Sequence, residues 1–98
     1  MAFDPLSDGD VVLERRPATE EIASDEKIAL YDSEGSVLIV LNPSAAAIWR
    51  LLDGTRTLTA VVEELATAFA ADEAVLWADV RSTCRKLTEL GLVTLRGG

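Results

Sequence analysis

The sequence predicts an α+β fold, a winged helix-turn-helix in which a three-stranded antiparallel sheet is followed by three helices. Up to Leu41 the apolar residues alternate or run in short blocks between turn residues, as in strands. At Asn42-Pro43 the apolar period changes from 2 to 3.6, and three separately capped helical stripes follow. The length, 98 residues, suits one domain able to bury a core without metal or disulfide staples. Strands followed by helices in this order are the layout of a winged helix.

Residues 1–10 hold Asp4, Asp8, Asp10, Pro5 and Gly9, and read as a disordered arm; residues 11–98 read as the single domain. Val11-Val12-Leu13 forms either a brief strand or an arm laid over the core. Thr19 to Ala23 is a weak strand candidate, followed by the polar loop Ser24-Asp25-Glu26-Lys27. Ile28 to Asp32 alternates large and small residues as a half-buried strand does. Ser33-Glu34-Gly35-Ser36 supplies hairpin chemistry, with Gly35 free to take the positive φ such turns need. Val37-Leu38-Ile39-Val40-Leu41 is then the return strand of a meander.

Asn42 is placed to cap the first helix, and Pro43 fits its first position, where no amide donor is required. Ala45, Ile48, Trp49 and Leu52 share one face, and Gly54 is expected to end the helix in a left-handed conformation. Thr57 caps the second helix, whose stripe is Leu58, Val61, Val62, Leu65, Ala66 and Phe69. Asp72 caps the third, with core positions Leu76, Val80, Cys84 and Leu87 and Gly91 closing it. Leu92 to Leu95 either adds a last strand or docks on the core.

Composition narrows the function classes. The chain has no histidine, so the commonest general base and metal ligand is missing. Its one cysteine, Cys84, sits on an apolar stripe, where a thiol is usually inert packing, and it has no internal partner for a disulfide. There is no phosphate-binding glycine loop and no metal-ligand spacing, so neither cofactor nor metal is expected. Glu63 and Glu64 fall on the solvated side of the second helix. No run approaches the roughly 20 apolar residues of a membrane span, and no signal peptide opens the chain, so a cytoplasmic protein is expected.

The formal charge is −8, from 17 acidic and 9 basic side chains, which repels phosphate backbones and anionic lipids. Protein or peptide partners suit it better. DNA binding is the natural rival for a winged helix. However, the second helix has no lysine or arginine, and Arg81, Arg85 and Lys86 on the third are mixed with Asp79 and Glu89. Neither nucleic acid nor membrane is therefore expected as a partner.

The return strand carries the most information. In a simple meander, Val37–Leu41 is an edge with unpaired donors and acceptors, yet it lacks the charge or proline that usually defends an edge. Val37, Ile39 and Leu41 lie on one face, Leu38 and Val40 on the other, and both faces are apolar. Such an edge suits β-augmentation by an incoming peptide. It equally suits a fully buried strand covered by the N-terminal arm or by a second copy of the chain.

The motifs then narrow the choice. The run Leu41-Asn42-Pro43-Ser44-Ala45-Ala46-Ala47-Ile48-Trp49, continued by Leu51-Leu52-Asp53-Gly54-Thr55-Arg56-Thr57, resembles the PqqD-like family. So do Asp79-Val80 and the downstream Leu87, Leu90, Gly91 and Leu92; the likeness covers roughly residues 28 to 93. Members are recognition elements for ribosomally made, modified precursor peptides. The resemblance implies that a leader peptide adds as a strand beside Val37–Leu41, in a groove walled by the third helix. The domain would then present it to a radical SAM enzyme, protease, cyclase or other modifying enzyme. The expected contacts are Val37, Leu38, Ile39, Val40 and Leu41, with Val75, Asp79, Thr83 and Lys86 from one flank of the third helix. Trp77, Arg81, Arg85 and Thr88 form the other flank, and Trp77 is open to a core, peptide-contact or docking role. No catalytic residue is expected.

Overall fold

The computed structural model describes residues 6, 9–16, 19–31 and 34–96. Among them, six strands and three helices run in the order β1 (Val12–Arg15), β2 (Glu20–Ser24), β3 (Lys27–Tyr31), β4 (Val37–Leu41), α1 (Pro43–Leu51), β5 (Asp53–Thr57), α2 (Leu58–Phe69), α3 (Glu73–Glu89) and β6 (Val93–Leu95). The fold is α+β with antiparallel strands, as expected. The strands divide into two three-stranded sheets, ordered β2-β3-β4 and β5-β1-β6, where the sequence suggested one.

The first sheet is the expected meander. Asp25 and Glu26 join β2 to β3 with positive φ of 48° and 68°, the left-handed pair that a two-residue hairpin loop requires. Gly35, at φ +86°, serves the next turn. The β3–β4 register runs Ile28↔Leu41, Ala29↔Val40 and Leu30↔Ile39, then shifts to Tyr31↔Val37, which leaves Leu38 as a bulge.

The second sheet could not be read from periodicity. β1 is its centre, paired to β5 through Val12↔Thr57 and Glu14↔Asp53 and to β6 through Leu13↔Leu95, Glu14↔Thr94 and Arg15↔Val93. β5 is Asp-Gly-Thr-Arg-Thr, a polar run that is extended because β1 supplies its ladder rather than because its residues favour a strand. This corrects the expected role of Gly54. Helix α1 ends at Leu51 with Leu52 as its cap, and Gly54 lies inside β5 at φ +81°. The left-handed φ favours glycine there, and a Cβ would also crowd the Glu14 side chain at 3.2 Å and that of Arg96 at 3.1 Å.

The helices follow their caps. Asn42 Oδ1 accepts from the Ala45 amide at 2.8 Å, Thr57 Oγ1 from Ala60 at 3.1 Å, and Asp72 Oδ1 from Ala74 at 2.7 Å. Helix α3 closes with paired bonds from Gly91 N–H to Thr88 O (3.0 Å) and from Leu92 N–H to Leu87 O (2.9 Å), and Gly91, which closes it as expected, is left-handed. Three residues, Ala70–Asp72, turn α2 into α3, the spacing of a helix-turn-helix. The α2 stripe is buried through Leu65, but Phe69 is 60% exposed, because the helix runs past the core before Ala70 turns it.

One core joins both sheets to all three helices: Leu13 from β1, Ile28 and Leu30 from β3, Leu41 from β4, Trp49, Leu52, Val62, Val80, Cys84 and Leu87. Trp49 also ties the sheets through polar groups. Its indole Nε1 donates to Glu21 of β2 at 2.6 Å, while Arg15 of β1 stacks 5.8 Å from its ring and donates to its carbonyl at 3.0 Å. Most of the arm expected to be disordered lies outside the described residues. Leu6 is described, and it is buried at 5% exposure, with Thr59 holding Gly9 O through Oγ1 at 3.0 Å, so at these positions the arm is packed on the domain.

Candidate functional site

Helix α3 and strand β4 flank an open groove of about 440 Å³. Ile39, Val40 and Leu41 form one wall. Ser82, Thr83, Arg85, Lys86 and Glu89 form the other, with Leu87 beneath them. Asn42 and Ala45, at the start of α1, close one end. The cap explains that end: Asn42 must stand at the strand-helix junction, and the small Ala45 after it leaves the space open.

β4 pairs only with β3 among the described residues, so its other edge is unpaired. In an antiparallel ladder alternate residues turn both N–H and C=O away from the partner. On β4 the groups so turned have no strand partner among the described residues. Val40 is 58% exposed and Leu38 36%, whereas Ile39 is half-buried and Leu41 buried. The two-faced apolar strand is therefore covered on its Ile39/Leu41 face only.

The structure brings together five of the nine expected contacts: Ile39, Val40, Leu41, Thr83 and Lys86. Val37 and Leu38 do not line the groove: Leu38 is the bulge, and Val37 pairs with Tyr31 on its far side. Val75 and Asp79 line a second, more apolar pocket of about 360 Å³ between α1, the end of α2 and the start of α3, with Phe69, Ile48 and Leu65. Of the favoured flank of the helix, the groove holds Thr83 and Lys86, and it also takes in Arg85 from the other flank. Five strand residues span about 16 Å, whereas seventeen helical residues span about 25 Å, so only the C-terminal half of α3 runs beside β4. Asn42, Ala45, Ser82 and Glu89 were missed as groove residues, and Arg85 was expected on the other flank. Ser82 and Glu89 lie one helical turn before and after Lys86, at i−4 and i+3, and that spacing could have found them.

Arg81 stacks 4.9 Å over Trp77 and donates to the Leu6 carbonyl at 3.3 Å, so its guanidinium is engaged within the fold. Cys84 is buried and its thiol is pushed up to about 12 by burial, which leaves it unionised and inert. Asp53 is held below the ordinary carboxylate range, first by the Thr55 hydroxyl and amide and then by Arg56. Among the described residues no cluster of His, Cys, Asp and Glu could hold a metal, and no helix is long and apolar enough to cross a membrane.

Comparison with known proteins agrees with this geometry. The family model for coenzyme PQQ synthesis protein D (PqqD) matches residues 27–93, the segment from β3 to the start of β6. The PqqA binding protein of Rhodopseudomonas palustris (strain BisB5) is 36% identical over 50 residues, 51% of this chain and 49% of that protein. The chain thus spans about half the length of this curated relative. The solved structure of TbiB1 in complex with the TbiA(beta) leader peptide shares the fold, with a TM-score of 0.70 at 21% identity over 87% of this chain and 96% of that one.

Proposed function

The chain belongs to the PqqD family, and on that premise we propose that it captures the leader segment of a ribosomally made precursor peptide as an added strand beside β4. The observation that carries this reading is the unpaired, uncharged edge of β4 facing a groove whose second wall is α3. A relative named for PqqA binding, and a shared fold solved with a leader peptide bound, support it.

Magnitudes say how the capture works. Each main-chain bond nets about 1 kcal/mol, while ordering each peptide residue costs about 1–2 kcal/mol. Pairing alone therefore sets geometry without holding the peptide. Burying one leucine-sized side chain contributes about 2–3 kcal/mol, so apolar residues set against Ile39, Leu41 and Leu87 decide affinity and selectivity. The domain contributes no chemical step. In the cytoplasm it presents the precursor to a modifying enzyme, such as a radical SAM enzyme, protease or cyclase, by raising the local concentration of the peptide to be modified. Val75 and Asp79, in the second pocket, lie outside this strand-addition site.

Fluorescence anisotropy with a labelled leader from a precursor encoded beside this chain tests the reading. Saturable binding is expected, with precursor conversion only after the modifying enzyme is added. Conversion by this chain alone, or no binding of that leader, would overturn it.

A further inference from the structure

The chain is at −8, yet the α3 wall of the groove holds Lys86, with Arg85 and the carboxylate of Glu89 beside it. β4 has no charge, and Asn42, Ala45, Ser82 and Thr83 are neutral. Lys86 is exposed, and no carboxylate pairs with it among the described residues. From this we infer that the occupant is a peptide with a carboxylate at the single register that faces Lys86, flanked by apolar residues on the side facing Ile39 and Leu87. The inference rests on the strand-addition reading and adds the chemistry of the ligand to it.

The selectivity is positional. Surface charges interact appreciably only within about 8 Å at physiological salt. A carboxylate beside Lys86 therefore meets a cation, while one placed several residues along meets the field of an acidic domain. Lys86 also reaches the groove along its aliphatic stem, so it shields the apolar contacts while its ammonium meets the acid. Because an exposed pair is weak, the gain is modest: about fivefold in affinity, or about 1 kcal/mol.

Synthetic ten-residue peptides with alternating leucine or valine and neutral polar residues, flanked by glycine-serine tails, provide the probe. A single glutamate replaces glutamine at each polar position in turn, and each peptide is titrated into ¹⁵N-labelled protein. The expected result is one register at which glutamate binds about fivefold tighter than glutamine. That preference should vanish in Lys86→Gln, and in Lys86→Glu it should reverse so that a lysine peptide is favoured. Shifts at the β4 amides that are equal for glutamate and glutamine at every register, or a preference that survives Lys86→Gln, would overturn this inference and leave strand addition intact. No shift at β4 with any peptide would overturn both.

Discussion

Single residues in this fold do several jobs that their type alone does not announce. Trp49 fills the core and also spans the two sheets through Glu21 and Arg15, so one side chain sets the position of β2 relative to β1. Asp53 is the clearest electrostatic case. Its carboxylate accepts from the Thr55 hydroxyl at 2.7 Å and amide at 3.0 Å and pairs with Arg56, which in turn pairs with Glu64 at 3.0 Å. These bonds favour the ionised form and lower its pKa in the folded state. A depressed folded pKa contributes stability that is present above the ordinary carboxylate range and is lost as pH falls through the folded value. Denaturation midpoints measured between neutral pH and pH 3 should therefore fall more steeply for the native chain than for Asp53→Asn. The difference should be no more than about 1 kcal/mol, because the pair is partly exposed. Parallel acid profiles would mean that the carboxylate is not held this way.

Elements with strong local signals were legible in the sequence, and those made by distant pairing were not. β4 matched its expected bounds, and the three helices kept their caps at Asn42, Thr57 and Asp72, because side chain and backbone fix each of these locally. β5 was missed because five polar residues become a strand only when β1, some forty positions earlier, lies beside them. The same limit applied to the site: the strand wall and Lys86 could be read, but the length of α3 facing β4 depends on tertiary packing. The edge itself can be tested by proline. Ile39 and Val40 are adjacent in an antiparallel ladder, so one amide points to β3 and the other to the groove. Proline removes the donor in either case. One variant should lose about 1–3 kcal/mol of fold stability. The other should melt close to the native temperature yet bind the labelled leader at least tenfold more weakly. Thermal melts and anisotropy on the two proteins separate these outcomes, and unchanged binding by both would rule out pairing along β4.

Four strands of the molecule lie at sheet edges among the described residues, β2, β4, β5 and β6, and their chemistry is unequal. β2 is exposed throughout and bears Glu20 and Glu21, β5 bears Asp53 and Arg56, and β6 has only three residues. Charge and short length defend an edge against foreign strands. β4 has neither defence; its bulge at Leu38 shortens the ladder but leaves Ile39–Leu41 regular beside α3. The whole architecture thus directs an incoming strand to one place. Hydrogen exchange can read that choice, since a peptide that pairs with β4 shields only the amides it bonds. With peptide at 100 times its Kd, a site that must release peptide before opening gains about 2.7 kcal/mol, or about a hundredfold slower exchange. That slowing is expected at the groove-facing amide among Ile39–Leu41, while locally fraying amides of β2, β5 and β6 keep their rates. Slowing at β6 or β5 without slowing at β4 would place the peptide on the other sheet and make the groove along α3 irrelevant to capture.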